Sequence, residues 1–308
     1  MRCSTPWPAW SPAWARRSAG SRPRRRSGVE ARRHSRSHPN GTSWSKVLAP
    51  GSKAAHREPM YASGPVVVGV DGSPESRAAV DLAGWEAHRR RSPLYLVQAA
   101  ADPQRARERL EGHAWRLHDR YPELCTTTTV GPGDPGTVLV DRSRTAALVV
   151  VGARGLGSFH SMLPGSVAVH LARHSQAPVV LVRRPVWYAT RARSGVVVWI
   201  DESAGTSSAV EFAYDEAAAH GTDLTAVCAW TPGPGDPHGA ADRLLGSALG
   251  GWPDKYPQVE LFRRIEPDRN PLRAVLEAAA DADLVVCGDG PVAAGLVEHA
   301  ETSVAVVR

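Results

Sequence analysis

The sequence predicts an α/β protein made of two tandem five-stranded, mostly parallel sheets with helices on both faces. From Val66 onward, apolar runs of strand length alternate with longer amphipathic stretches, which is the pattern of a parallel sheet covered by helices. The same unit then occurs a second time along the chain. The length of 308 residues agrees with two domains of ordinary size.

The first copy of the unit alternates regularly between strands and helices. PVVVGV is the first predicted strand, and Ser73 and Pro74 supply an N-cap and a first-turn residue for the helix that follows. We then expect, in order, strand LYLVQAA, helix RARERLEGHAWRLHDRY, strand TTTTV, helix DPGTVLVDRSRT, strand ALVVVG, helix SVAVHLARHS and strand PVVLVRR. This pattern gives five strands and four helices.

The second copy begins 130 positions after the first. The segment that starts at Val66 aligns without a gap to the segment that starts at Val196. The alignment pairs Asp71 with Asp201, Ser73 with Ser203, Val80 with Val210, Glu86 with Glu216, Leu94 with Leu224, and Val97 with Val227. We therefore predict a first repeat at residues 64–184, a linker at 185–194 and a second repeat at 195–308.

Residues 1–59 differ in composition from the rest of the chain. They hold 13 Lys or Arg against 2 Asp or Glu, and so they account for the high overall pI of about 9.4. Because they show neither strand nor helix periodicity, we expect a disordered basic extension. The composition changes abruptly at Met60, which we interpret as the natural start of the protein.

The predicted folded part is mildly acidic, with 24 Lys or Arg against 29 Asp or Glu from Met60 onward. Nucleic acids and anionic membranes, which a basic surface would attract, are therefore not expected as partners. No stretch approaches the roughly 18 consecutive apolar residues that span a bilayer. The four cysteines include no C-x-x-C pair and indicate no zinc site, and we expect Cys228 and Cys287 to be buried thiols.

A glycine-rich segment after the strand ALVVVG carries the candidate chemistry. Gly152 and Gly155 are followed, after a spacer of nine residues, by Gly165 and Ser166 at the start of a helix. Glycines let backbone N–H groups approach an anion, and a helix N-terminus adds unpaired donors at the carboxyl end of a parallel strand. We expect Gly165, Ser166 and Val167 to hold a phosphate chain, and Gly152 and Gly155 to allow close passage of the ribose and phosphates.

Two residues near the ends of neighbouring strands would complete a nucleotide site. Asp71 ends the first strand, where its carboxylate can accept hydrogen bonds from a base amine or a ribose hydroxyl. Val97, near the end of the second strand, can contact an adenine ring. For Asp71 an alternative stays open, because a D-G-S sequence after a strand often forms only a turn and a helix cap.

With VGVDGS, the nine-residue spacer and GARGLGSFHSMLPGSVA in this order, residues 64–308 resemble the tandem two-domain members of the universal stress protein family. The resemblance implies an adenine nucleotide alpha-hydrolase-like fold, a cytoplasmic location and pairing through the last strand. It also implies ATP, with or without Mg²⁺, as the cofactor of the first repeat. The nucleotide contacts that the resemblance implies are Val70, Asp71, Val97, Gly152, Arg154, Gly155, Gly165, Ser166 and Val167.

The second repeat departs from this pattern. Gly288 is followed at once by Asp289, Gly290 and Pro291, so that the second glycine, most of the spacer and the G-S helix start are absent. Asp289 and Glu202 would place carboxylates where a polyanion should bind, and like charges repel. We predict one adenine nucleotide per chain, with the second repeat pairing with the first as its structural partner, and a homodimer is left open.

Three functions remain open from the sequence. The protein is a nucleotide-responsive stress regulator that binds ATP, a slow ATPase or phosphotransfer enzyme that uses the same pocket, or a non-binding dimerisation module. The regulator is favoured because no Walker-type lysine follows the glycines and Asp71 is the one carboxylate that we nominate as a base. We assign no catalytic residue and no metal ligand.

Overall fold

The computed structural model describes residues 45–47, 64–100, 102–154, 165–183, 195–231, 233–267 and 269–308, and for 45–47 it describes the backbone alone. The chain from Thr42 to Arg308 forms one compact unit. Gly155 and the whole of the predicted linker, residues 185–194, lie outside the described residues. The boundaries of the two repeats therefore stay predictions.

Nine elements form the described part of the first repeat, and a short strand, β1 (Ser45–Val47), precedes them. They are β2 (Val66–Gly69), α1 (Pro74–Arg90), β3 (Leu94–Ala99), α2 (Pro103–Arg120), β4 (Thr126–Gly131), α3 (Pro135–Ser143), β5 (Leu148–Gly152), α4 (Ser166–His174) and β6 (Val179–Val182). The predicted start of α1 is confirmed, because the Ser73 hydroxyl accepts a hydrogen bond from the Ser76 N–H and Pro74 opens the helix.

The second repeat has the same order of elements with one additional short helix, α7. Its elements are β7 (Val196–Trp199), α5 (Thr206–His220), β8 (Leu224–Trp230), α6 (Pro237–Ala248), α7 (Trp252–Lys255), β9 (Leu261–Pro267), α8 (Pro271–Ala279), β10 (Leu284–Gly288), α9 (Pro291–His299) and β11 (Ser303–Val307). The predicted α/β class is therefore confirmed.

All the described strands belong to one sheet, in the order β1-β9-β8-β7-β10-β11-β6-β5-β2-β3-β4. The five strands within each repeat run parallel. The repeats join where β6 and β11 pair antiparallel, with Val180 opposite Ala305. The prediction of two separate sheets is therefore corrected to one continuous sheet. The repeats merge because an edge strand has unpaired backbone donors and acceptors, which the edge strand of the other repeat can satisfy.

The strand β1 extends the outer edge of the second repeat. Its residues Ser45–Val47 pair antiparallel with β9, with Lys46 opposite Phe262. This strand lies within the segment 1–59, for which we predicted no regular structure, so that prediction is wrong for these three residues. A short antiparallel strand can form with little regard to local periodicity, because the partner edge supplies the hydrogen bonds.

The sheet is buried on both faces, as the near-continuous valine runs of its strands require. Val66 and Val68 point to the face covered by α1 and α5, whereas Val67 and Val149 point to the face covered by α4 and α9. The two predicted buried thiols, Cys228 and Cys287, are both free and buried. Among the helices of the described residues, none is both long enough and apolar enough to cross a membrane.

Candidate nucleotide site

The candidate site lies at the carboxyl ends of β2, β3 and β5, with β2 between the other two strands. The chain leaves β2 into α1 and leaves β5 toward α4, and these helices pack on opposite faces of the sheet. Two neighbouring strands whose helices diverge in this way open a crevice at the sheet edge. The described residues that we predicted for the site come from this edge and from the start of α4.

Asp71 forms the turn that leads from β2 into α1. Its Oδ1 accepts a hydrogen bond from the Ser73 N–H at 2.8 Å, and its own N–H donates to the Ser76 hydroxyl at 3.2 Å. Gly72 follows with a φ of +94°, a conformation that favours glycine. Asp71 therefore has the turn-and-cap role that the sequence left open as an alternative. The predicted contact of its carboxylate with a nucleotide stays a prediction.

Arg109 of α2 lies over this turn and was missed by the sequence analysis. Its Nη1 donates a hydrogen bond to the Asp71 carbonyl at 3.3 Å, and a Cβ built on Gly72 would lie 2.9 Å from the Arg109 Cζ. The sequence gives no local signal for this contact, because Arg109 is one of several arginines on a polar helix. The arginine adds a positive charge to the edge of the crevice.

Val70 and Val97 are core residues in this structure, with exposed fractions of 5% and 2%. Val97 of β3 lies on the face of the sheet that Leu139 of α3 covers. The Val97 carbonyl accepts a hydrogen bond from the Val70 N–H at 2.8 Å, which holds the ends of β2 and β3 together. The little surface that Val97 retains limits the adenine contact that we predicted for it, and that contact stays a prediction.

Gly152 is required by the packing of α1. A Cβ at this position would lie 2.9 Å from the backbone of Glu75 and Ser76 in the first turn of the helix. The equivalent Gly288 of the second repeat has the same constraint, since its Cβ would lie 2.9 Å from Gly205. A glycine at this position is therefore explained by packing in both repeats, and by itself it does not indicate a nucleotide.

The start of α4 is built by a backbone contact with the end of β5. The Gly165 N–H donates to the Ala153 carbonyl at 2.8 Å, so the amide that we predicted as a phosphate donor is already engaged. The N-cap residue Gly165 has no side chain that could cap α4, and no other described side chain is seen to do so. Since the first N–H groups of a helix have no partner within it, the amides of Ser166 and Val167 are the donors available to an anion.

Two arginines add positive charge near the start of α4. Arg154 is exposed, and its carbonyl accepts a hydrogen bond from the Ser73 hydroxyl at 3.4 Å. Arg183 directly follows β6, beside the end of β5. Burial lowers the pKa of Arg183, and the nearby Arg154 cation lowers it further. We predicted Arg154 as a contact residue but missed Arg183, which lies far from the glycines in sequence.

The corresponding edge of the second repeat differs from the first in its donors and its charges. Gly290 caps α9 as Gly165 caps α4, but the next residue is Pro291, which has no N–H to donate. Asp201 accepts hydrogen bonds through Oδ1 from the Ser203 N–H at 3.0 Å and the Thr206 hydroxyl at 2.9 Å. A Cβ at Gly290 would lie 2.8 Å from Asp201 Oδ2. The second repeat therefore offers fewer donors and more carboxylate oxygens.

Among the described residues, one group of side chains has the ligand types and spacing of a metal site, and it lies away from the crevice. Glu86, Glu216 and His220 bring a ligand atom each within 4.8 Å of one another. Arg90 Nε donates to Glu86 at 2.6 Å, and Arg89 donates to both carboxylates. The arginines already balance these negative charges, so we assign no metal to the group.

Comparison with known proteins identifies the family. The chain is 31% identical over 284 residues to a universal stress protein from Mycolicibacterium smegmatis, an alignment that covers 79% of this chain and 96% of that protein. The chain belongs to the universal stress protein family. It is also 30% identical over 254 residues to the universal stress protein Rv2623 of Mycobacterium tuberculosis, covering 72% of this chain and 85% of the relative.

The family profile and the solved structures agree with this assignment. The profile described as "Universal stress protein family" matches residues 63–183, which correspond to the first repeat. A universal stress protein from Archaeoglobus fulgidus superposes with a TM-score of 0.58 at 16% identity, covering 80% of this chain and 98% of that one. A Pseudomonas aeruginosa structure titled a putative universal stress protein gives 0.61 at 16% identity, covering 79% and 92%. At these identities the structures support the fold.

Proposed function

We propose that the first repeat binds one adenine nucleotide, ATP among them, and that this binding makes the protein a nucleotide-responsive regulator in the stress response. The observation that carries the proposal is the uncapped start of α4, where the amides of Ser166 and Val167 are available beside Arg154 and Arg183. Exposed amides and cations at a helix N-terminus favour the binding of a phosphate chain.

The second repeat supports the proposal by contrast. Its helix α9 starts with Pro291 in place of Ser166, and Asp289 precedes it in place of a neutral residue. These changes remove a donor and add a negative charge at the same point of the fold. The sequence differences therefore lie where a bound phosphate would make its contacts, whereas Gly152 and Gly288, which serve packing, are glycines in both repeats.

The nucleoside end of the ligand would lie toward Asp71. The Asp71 turn and the start of α4 are connected through Ser73, which contacts both the Asp71 carboxylate and the Arg154 carbonyl. A nucleotide whose phosphates lie at α4 would therefore extend along the sheet edge toward the end of β2. Asp71 accepts the Ser73 N–H just as Asp201 accepts the Ser203 N–H, so no described feature of Asp71 favours a catalytic role.

The sharpest test replaces Ser166 by the proline of the second repeat. Proline is tolerated at the first position of a helix, and the preceding Gly165 has the extended ψ of 149° that a following proline requires. We expect Ser166→Pro to weaken ATP binding about tenfold, because one amide donor is lost, without lowering the melting temperature. The matched control is Pro291→Ser, which should leave ATP affinity unchanged. Isothermal titration of ATP, ADP and AMP measures both.

The same titrations separate the three functions. A wild-type protein that binds none of these nucleotides and shows no thermal shift would leave only the structural module. An enzyme would convert bound ATP during incubation for hours, and Asp71→Ala would abolish that turnover while a distant surface variant would not. Stable ATP that stays bound without conversion is the outcome we expect.

A further inference from the structure

Arg183 lies where the first repeat meets the second. Its backbone N–H donates to the Ser303 hydroxyl of β11 at 3.2 Å, and its Nη2 donates to the Val297 carbonyl in the last turn of α9. The residue before it, Val182, pairs with Gly152 at the end of β5. Arg183 therefore contacts the second repeat while standing at the edge of the proposed nucleotide site.

We propose that Arg183 binds a phosphate group of the nucleotide and thereby joins the bound ligand to the second repeat. This inference rests on the proposed function and adds to it a residue that neither the glycine pattern nor the family profile assigns. The ligand chemistry is a phosphoryl oxygen, which the planar guanidinium can meet with more than one N–H donor while Nη2 keeps its contact with Val297.

The Nε–H of Arg183 is a donor in need of an acceptor. This Nε atom is buried, and it has no hydrogen-bond partner among the described residues. A buried donor left unpaired costs free energy, which a bound acceptor removes. The neighbouring charge is Arg154, another cation, so that this part of the site carries two positive charges. A phosphate would satisfy the donor and relieve the repulsion between the two arginines.

The second repeat contains the same arginine with an anion already in place. Arg308 follows β11 as Arg183 follows β6, and its guanidinium donates to the Ala172 carbonyl of α4 at 2.7 Å and the Ser175 carbonyl at 2.5 Å. These contacts mirror that of Arg183 with Val297. The Arg308 Nε lies 3.5 Å from Oδ2 of Asp289. The carboxylate of Asp289 therefore stands where a phosphate of the ligand would stand in the first repeat.

The space around Arg308 agrees with this interpretation. A groove of about 250 Å³ between α4 and α9 is lined by Arg308, Asp289, Gly290 and Ala293. The groove therefore reaches the N-terminus of α9, which corresponds to the α4 start in the first repeat. In the second repeat the carboxylate of Asp289 supplies the negative charge at this point. In the first repeat the equivalent position is Ala153, a neutral residue, which leaves the negative charge to the ligand.

The test compares Arg183→Gln with the matched variant Arg308→Gln. Both lose contacts between the repeats, but only Arg183 faces the proposed phosphate. Adenosine, ADP, ATP and inorganic tripolyphosphate are titrated into each protein, and the melting temperature is recorded in parallel. We expect Arg183→Gln to weaken ADP, ATP and tripolyphosphate binding about 10- to 100-fold, with adenosine affinity changed less than twofold. Arg308→Gln should bind all four compounds like the wild type.

Arg183→Lys separates the lost charge from lost structure. Because lysine keeps the positive charge, we expect it to recover part of the ATP affinity and the dependence of that affinity on salt. If Arg183→Gln binds ADP, ATP and tripolyphosphate within twofold of the wild type, the inference is overturned and the proposed function stands. Equal losses in Arg183→Gln and Arg308→Gln also overturn it. A wild-type protein that binds none of the compounds overturns both.

Discussion

Glu86 of α1 and Glu216 of α5, which occupy equivalent positions in the two repeats, are both buried and share the guanidinium of Arg89. Burial alone would raise the pKa of Glu86, but Arg89 and Arg90 lower it to about 2. Burial raises the pKa of Glu216, and the arginines offset only part of this effect. Two like residues brought together by the repeat thus differ in how well their charge is stabilised.

This asymmetry predicts unequal costs for the two carboxylates. Glu86→Gln should lower the free energy of unfolding by about 3 kcal/mol, because it leaves Arg90 without its main carboxylate partner and removes one of the carboxylates that face Arg89 in a buried site. Glu216→Gln should cost less than half of that, since burial already disfavours its charge. Urea unfolding at neutral pH measures both variants, and equal losses would contradict the assignment of the charge to Glu86.

His113 of α2 predicts a loss of stability in mild acid. Burial lowers its pKa from 6.5 to about 4, and the cations Arg116, Arg77 and Arg109 oppose its protonation while Asp81 favours it. Because the unfolded chain takes up this proton near pH 6.5 and the folded chain only near pH 4, the stability present above pH 6.5 is lost as the pH falls toward 4. The loss is at most about 3 kcal/mol.

The variant that checks this prediction is His113→Gln, which should flatten the decrease in unfolding free energy between pH 6.5 and 4. His118→Gln, at an exposed position of the same helix, serves as the control. Unfolding in urea is measured at half-unit steps of pH for the three proteins. A His113→Gln protein whose pH dependence matches the wild type would refute the role of this side chain.

We predict a stoichiometry of one nucleotide per chain. The second repeat lacks the N–H of Ser166 because Pro291 replaces it, and Asp289 adds a carboxylate that already pairs with Arg308. We expect calorimetric titration with ATP to give a single site, and the double variant Asp289→Ala, Pro291→Ser to give the same number. Two equivalents of bound ATP in the wild type would show that the second repeat is functional.

Gly152→Ala should destabilise the fold by about 1–3 kcal/mol, because the added Cβ would lie 2.9 Å from the backbone at the start of α1. Gly288→Ala should cost a similar amount, since its Cβ would lie 2.9 Å from Gly205. Thermal unfolding without any ligand compares the two. A loss confined to nucleotide affinity, with an unchanged melting temperature, would restore the ligand-contact role that we first predicted for Gly152.

Much of the fold could be predicted from local pattern. The valine runs that form β2 and β5 are buried, as predicted, and Ser73 caps α1 at the position where the sequence predicted a cap. Pattern could not show that the Gly165 amide donates to the Ala153 carbonyl, since that contact joins residues on either side of the nine-residue spacer in the sequence. It also could not show that Val97 is almost fully buried at the site edge.

The sequence by itself determined the α/β class, the repeat and the loss of the glycine spacer in the second repeat, because side-chain periodicity and residue identity carry that information locally. The tertiary structure decided that β6 and β11 merge the two repeats into a single sheet and that Arg183 and Arg308 occupy matching places with unequal partners. The physical reason is that hydrogen-bond donors and charged groups find their partners in residues that are far apart in the chain. Which donors remain for a ligand is therefore known only after the chain has folded.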